Sequence, residues 1–297
     1  MAGLRFCAYQ YQHLPYPLLY ERWARAEQLG FDVMWNVDTV IEPDRPRTML
    51  FDGPTTLAAM ALKTSTIRIG TLVTSLFFRS PVLAARATVA VDHLSGGRVE
   101  VALGVGDPSA GPAAAGVEPE PAPVRVGRFR EFVELIDRLL RMEVTTYRGR
   151  FFWCEEAETI PGPIQRPRPP ITVAAHGPKM LRIAAEFGDA WSSWGGYDIE
   201  TEEQFFAVTR DRSARFDDLC AGLGRDPESI RHSLVCFPPL APWESVEYFQ
   251  DMVGRYREIG INEFVLYWPQ NWREAPREDL VFEELARDVI PTYDRQR

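Results

Sequence analysis

What most constrains this chain is a period. Short β-like runs alternate with amphipathic helical stretches across all 297 residues. Runs over 4–11, 31–38, 67–74, 98–106, 171–175, 190–194, 232–237 and 263–268 read as strands. Stretches over 17–30, 54–63, 81–94, 126–141, 178–187, 201–223, 245–259 and 279–290 carry helical spacing of apolar residues. Several open on proline, which is pre-set for the first helical turn. Eight strands alternating with eight helices predict the α/β class and a (β/α)8 TIM barrel rather than a doubly wound sheet. No GxGxxG opens the helix after the first strand, which counts against the dinucleotide-binding alternative. The chain reads as one domain, 1–297, with insertions at about 107–125 and 143–169. Both are expected at the C-terminal face of the barrel, as water-excluding lids or as surface loops.

The segment HLSGGRVEVALGVG (93–106) carries the most local information. The helix before it opens at Ser80-Pro81, a serine cap followed by proline, and closes at Gly96-Gly97, where a left-handed cap suits a residue without Cβ. Beyond it Val99, Val101, Leu103 and Val105 alternate with Glu100, Ala102, Gly104 and Gly106. The second face shrinks toward the C-terminal end. Two readings stand: the glycines let a flat ligand lie against the backbone, or they only bend a strand into a barrel.

A net charge of −9 with no basic cluster argues against a nucleic-acid partner. No apolar run is long enough to span a bilayer, and MAGLRFCAYQYQH lacks a signal-peptide layout, so a cytoplasmic location is expected. Cys7, Cys154, Cys220 and Cys236 stand far apart without a CxxC pair and read as reduced core thiols.

In such a barrel chemistry belongs at the C-terminal ends of the strands. That rule selects Gln10, Gln12 and His13; Asn36, Asp38 and Thr39; Thr74 and Ser75; and Gly104, Gly106 and Asp107. It adds Ala174, Ala175, His176, Gly177 and Pro178, then Trp191 and Trp194, Cys236, and Tyr267-Trp268. The rim is amide-rich and aromatic but short of the His, Asp and Glu ligands a metal-dependent barrel hydrolase or isomerase needs, so no metal is expected. An organic cofactor suits it better. His176-Gly177-Pro178-Lys179 opens a helix whose N–H groups suit a phosphate or a ring carbonyl. Lys179 either adds charge there or is solvated. Glu100 reads as a buried structural acid paired with an arginine.

The motifs LSGGRVEVALGVG, IRIGTLVTSLFFRSPVLAARATVAVDH and PPITVAAHGPKMLRIAAEFGDAW closely resemble the bacterial luciferase-like monooxygenase superfamily. The resemblance implies a deazaflavin (coenzyme F420) or FMN at the barrel mouth, and a cis peptide at Leu72-Val73. Implied cofactor contacts are Asp38, Leu72, Val73, Thr74, Gly104, Gly106, Asp107 and Ala174 through Pro178. Asn36-Val37-Asp38-Thr39 keeps the aspartate of deazaflavin users but has Thr39 where they carry histidine. Asp38, His13 and His176 are therefore the candidate catalytic groups. The competing readings are an exposed loop histidine for His13 and an Asx-type turn for Asp38. Arg79, Trp191, Trp194 and Trp268 are candidate substrate contacts. Against these stand a surface ion pair for Arg79 and core packing for the tryptophans. The expected activity is hydride transfer between F420 and a small organic substrate. The alternatives are monooxygenation with reduced FMN and oxygen, or a carrier that has lost its catalytic histidine. A separate flavin or F420 reductase and a homodimer are the implied partners.

Overall fold

The computed structural model describes residues 3–42, 47–106, 112–118, 120–269 and 276–295, with 276–279 as backbone alone. Its elements run β1 (Arg5–Tyr9), α1 (Tyr16–Gln28), β2 (Val33–Asn36), α2 (Gly53–Lys63), β3 (Arg68–Ser75), α3 (Pro81–Ser95) and β4 (Val99–Gly104). Next come α4 (Ala122–Arg141), β5 (Val144–Arg148), β6 (Trp153–Glu158), β7 (Ile171–Ala174), α5 (Pro178–Phe187) and β8 (Ala190–Ser193). α6 (Glu202–Gly222), β9 (Arg231–Val235), α7 (Val246–Arg257), β10 (Glu263–Tyr267) and α8 (Pro276–Glu284) complete the series. Eight strands close into a barrel in the order β1, β10, β9, β8, β7, β4, β3, β2, while β5 and β6 form a separate antiparallel pair. The (β/α)8 expectation holds. No helix among the described residues is long and apolar enough to cross a membrane.

Two compact units share this barrel. The first comprises Tyr11–Ala24 and Trp35–Ala174. Its β3 and β4 run in parallel from Ile69 opposite Val99 to Ser75 opposite Gly104, and the register shifts between Thr71 and Thr74. The Leu72-Val73 peptide within that shift is cis. α3 has Ser80 at its N-cap and Pro81 at its first position, but the serine hydroxyl makes no capping bond, contrary to the sequence expectation. Its C-terminal end behaves as expected, with Gly96 and Gly97 at φ of 66° and 86°. α4 buries Phe129, Phe132, Val133, Leu135, Ile136, Leu139 and Leu140 along one stripe. Each such side chain contributes about 1.5–3 kcal/mol over remaining exposed.

The 143–169 insertion lies at the opposite end of the strands from the one expected. Gln165 accepts from Arg68 and donates to the Val99 carbonyl, and these are the first residues of β3 and β4. Asp92, fully buried near the end of α3, accepts from the Ile164 and Gln165 amides. The reason is topological: a segment that leaves a helix and precedes a strand sits where strands begin. The β5–β6 pair is fastened to α4 by Glu131, whose carboxylate accepts from the Arg150, Phe151 and Phe152 amides. This insertion is therefore a pinned structural arm and no lid.

The second unit comprises Met1–Gln10, Arg25–Met34 and Ala175–Arg297. β1 pairs with β10 from Arg5 opposite Glu263 to Tyr9 opposite Tyr267, and β8 pairs with β9 from Ala190 opposite Arg231. α6 opens on a full capping box, Thr201 with Gln204. The single closing helix expected over 279–290 is instead α8, a π-helical turn at Leu285–Val289 and a 3-10 turn at Ile290–Thr292.

Candidate active site

The rim residues of the first unit are already bound to one another. Gln12, following β1, donates from its amide to the Val37 and Phe51 carbonyls and accepts from the Val37 amide. Asn36, the last residue of β2, donates to the Gly53 carbonyl and accepts from the Thr71 hydroxyl. Both side chains hold the loop after β2 in place.

Asp38 is neither an Asx turn nor an open acid. Its carboxylate accepts three hydrogen bonds from Arg79, at 2.6–3.2 Å, and one from the Ser75 amide. Arg79 reaches Asp52 as well, the residue that caps α2. The Asp38 bond, reinforced by Asp52, holds the Arg79 guanidinium above its ordinary range despite burial. Burial opposes ionisation of Asp52, but hydrogen bonds from Arg79 and Thr55 outweigh it and keep its carboxyl below the usual range. Arg79 thus makes the surface pairing weighed in the sequence, with the exposed Asp52, and adds a buried partner, Asp38.

His13 is not an exposed loop histidine. Its Nδ1 lies 2.9 Å from Oε2 of Glu42, and the two side chains are 6% and 4% exposed. Nε2 has no hydrogen-bond partner among the described residues. A buried imidazole with one nitrogen held by a carboxylate and the other open is arranged for proton exchange at Nε2. Thr39, where the resemblance led one to expect histidine, turns inward on its own loop and donates to the Ile41 carbonyl.

The glycine face of β4 calls for a correction. A Cβ on Gly104 would meet Cγ2, Cβ and Cγ1 of Val73 at 2.5, 3.1 and 3.2 Å. One on Gly106, at φ 92°, would meet Ser75 Oγ at 2.3 Å and Phe77 Cδ2 at 3.1 Å. Side chains of β3 and its following turn fill the space the glycines leave. The glycines are needed for that close approach, not as a bare wall for a planar ligand. Glu100, further down β4, is buried and paired with Arg68, as expected. Asp107 lies outside the described residues.

In the second unit, α5 begins at Gly177, an N-cap without a side chain, and the position of its missing Cβ has nothing within 4 Å. Lys179 there is exposed. The His176 ring packs edge-on to Trp194, and its Nε2 accepts weakly from the Trp194 amide at 3.4 Å. Burial, with the Arg212 charge adding to it, pushes the His176 pKa down to about 4. The ring is neutral at pH 7 and suits an acceptor better than an acid. Trp191 is fully buried on Phe216, with its indole N–H on the Ala175 carbonyl, and Trp268 is buried against Phe282. Both occupy core positions. Trp194 is partly exposed and touches Tyr197 and Phe237.

Gln10, the residue after β1, is 2% exposed, and neither its amide nitrogen nor its oxygen has a hydrogen-bond partner among the described residues. Leaving such an amide unmatched costs about 1–3 kcal/mol per group, so its persistence points to a ligand edge that both donates and accepts. A flavin or deazaflavin ring presents that kind of edge, and the open α5 N-terminus fits a phosphate. The residues present fit the group. Among the described residues no three His, Cys, Asp or Glu side chains converge as metal ligands. The four cysteines are buried and form no disulfide among the described residues, and burial pushes the Cys220 and Cys236 thiols well above the ordinary range, so neither is a nucleophile.

Comparison with known proteins adds the decisive finding. Residues 7–258 match the luciferase-like monooxygenase family. The chain belongs to that family. It is 35% identical over 166 residues to 5,10-methylenetetrahydromethanopterin reductase of Archaeoglobus fulgidus, covering 55% of this chain and 45% of that protein. It is 30% identical over 239 residues to the F420-dependent glucose-6-phosphate dehydrogenase of Intrasporangium calvum, covering 75% and 70%. Among solved structures, an F420-dependent secondary alcohol dehydrogenase bound to an F420–acetone adduct superposes with a TM-score of 0.79 at 19% identity. That likeness covers 97% of this chain and 99% of the other, and it establishes the shared barrel. As a member of this family the chain is an enzyme of the oxidoreductase and monooxygenase group.

Two functional candidates escaped the sequence, and a third was only half read. Glu42 sits in a polar loop with nothing to single it out, and Arg212 lies mid-helix in RDRSAR among other charges. Gln10 stood on the rim list, but nothing in the sequence reveals that its amide is unmatched.

Proposed function

We propose that this enzyme exchanges a hydride between coenzyme F420 and a small organic substrate. The observation that carries this reading is the 30% identity, over three quarters of the chain, to an F420-dependent dehydrogenase. The unmatched Gln10 amide is consistent with it. Bound F420 would supply the carbon that accepts or gives the hydride. Within the second unit, Gln10 would hold its ring edge and Ala175 through Pro178 its phosphate side. The accompanying proton falls to His13: Glu42 fixes the ring through Nδ1, which leaves Nε2 to take a proton from a substrate hydroxyl or return it. Asp38 has a scaffold role in this scheme, because its oxygens are taken up by Arg79 and the Ser75 amide.

Monooxygenation with reduced FMN is the second reading, favoured by the family to which the chain belongs. Titrating the purified apo-protein with F420 and with FMN, followed by fluorescence, separates the two. Micromolar binding of F420 alone supports the proposal, and binding of FMN alone moves the assignment to the second reading. Binding of neither sinks both.

A further inference from the structure

Arg212 is held by one nitrogen of its guanidinium, which reaches three acceptors at once. From the middle of α6 it sends Nη1 to the Trp194 carbonyl at 2.6 Å, the Gly195 carbonyl at 3.1 Å and the Ser193 hydroxyl at 3.2 Å. Those acceptors follow one another at the C-terminal end of β8. Nε and Nη2 have no partner among the described residues, and no carboxylate there pairs with the side chain. Arg98 and Arg225, which also bond to carbonyls, use both arms of the guanidinium. They are staples at the other end of the strands. Arg212 is half a staple.

A guanidinium carries five N–H donors in a fixed fork, and its natural complement is a planar carboxylate or a phosphate. Here one arm is immobilised by the backbone, which removes most of the rotamer entropy that binding would otherwise cost. The side chain is half-buried, and burial alone pulls its pKa below the ordinary arginine range, so its charge is uncompensated locally. The neighbourhood keeps the second arm open. Gly196, at φ 123°, would place a Cβ 4.0 Å from Nη2, and the glycine leaves that approach clear. Beside it stand Trp194, Tyr197 and Phe237 in edge-on contact, with Tyr197 66% exposed. An aromatic wall next to an unmatched cation suits a ligand with an apolar body and an anionic end.

We propose that Arg212 forms an oxyanion subsite at the end of β8, taking a carboxylate or phosphate group through Nε and Nη2. Within the proposed function this deepens the reading by naming the substrate class: an acidic organic molecule with a ring or alkyl body. The cofactor's own phosphate is the other source of the same chemistry.

The test uses the purified chain without cofactor. Isothermal titration with benzoate and with inorganic phosphate is run on wild type, R212Q and R212K, each checked by circular dichroism and thermal unfolding. F420 is titrated into the same proteins. The subsite predicts that wild type binds at least one of the two anions. R212Q should bind it at least tenfold more weakly, and R212K should fall between, since lysine keeps the charge but loses the fork. Unchanged F420 affinity in R212Q assigns the oxyanion to the substrate. A parallel loss of F420 affinity, with phosphate competing against F420, assigns it to the cofactor tail. Equal anion binding by wild type and folded R212Q, or no anion binding by wild type, overturns the subsite. Should R212Q unfold, R212K and the wild-type titration still decide. Because the anion arm needs no F420, a failure of the proposed function leaves its result readable.

Discussion

The glycine at 104 offers a measurement that separates packing from ligand seating. In Gly104→Ala the new methyl would stand 2.5 Å from Val73 Cγ2, with Val73 Cβ and Cγ1 at 3.1 and 3.2 Å. All three distances lie inside ordinary van der Waals contact. Rotating Val73 about χ1 gives no relief, because a β-branched side chain presents a carbon in two of the three staggered positions and Cβ itself is already close. The backbone must move instead, and overpacking of this kind costs about 1–3 kcal/mol. At about 2–4 °C per kcal/mol for a large domain, the apo-protein should melt roughly 2–12 °C lower. Val73→Ala alone should cost about 1–2 kcal/mol for two half-buried methyl groups. The double variant tests the contact: with both Cγ atoms gone only Cβ of residue 73, at 3.1 Å, still crowds the added methyl, so G104A should cost less in a V73A background than in wild type. The coupling between the two sites should then reach about 1–2 kcal/mol, measured by urea unfolding of the four proteins of the cycle. The reasoning fails if apo G104A unfolds with wild type while its F420 affinity drops. In that case the glycine serves the ligand and the Val73 contact is incidental.

Arg79→Met should destabilise by about 3 kcal/mol, because it strands the buried Asp38 carboxylate, and Asp38→Asn in the same chain should recover part of the loss. A urea midpoint for R79M within about 0.5 kcal/mol of wild type would show that the pair holds nothing. His13→Gln should lower F420-linked turnover by about 10²–10⁴-fold with little change in F420 affinity, and Glu42→Gln should give a smaller loss; equal turnover in all three proteins removes His13 from the chemistry. Burial pushes His232 down to about 4, even though Asp217 lies 3.4 Å from its Nε2. The unfolded chain therefore binds a proton there between about pH 6.5 and 4 that the folded chain does not. The His232 contribution should be fully present above 6.5 and fall with acidification at up to about 1.4 kcal/mol per pH unit; His176, shifted alike, adds a similar slope, so His232→Asn should remove about half of the total. Urea unfolding at pH 4.5, 5.5 and 6.5 reads it directly.

The strands and helices were legible because burial writes itself into spacing: every barrel strand was placed, and α4's stripe is visible in FREFVELIDRLL. The polar links were not. Nothing in FFWCEEAE marks an antiparallel arm, since its attachment rests on Glu131, which lies in a helix. The placement of the 143–169 insertion was in fact recoverable from sequence order alone, because helix-to-strand connections gather where strands begin. The glycines of β4 misled for a related reason. A missing side chain records that something comes close without recording what, and here the visitor is the neighbouring strand.

Among rim residues of the expected type, hydrogen-bond completeness separates scaffold from candidate chemistry better than residue type does. Gln10 and Gln12 are two amides one residue apart, both buried. Gln12 makes three hydrogen bonds to the loop after β2 and has no donor left for a ligand. Among the described residues Gln10 makes none, and buried polar groups are as a rule matched by something. The arginines divide the same way. Arg79 has carboxylates on both sides and is fixed as part of the frame. Arg212 has carbonyls on one arm and nothing on the other. Replacing Gln12 should therefore cost stability first and function only through it. Replacing Gln10 by Leu should leave the apo-protein as stable as wild type or more so, because an unmatched buried amide becomes apolar. The same change should weaken F420 binding at least tenfold. A Q10L protein that is less stable yet binds F420 as wild type does would mean that the amide has a partner within the fold after all.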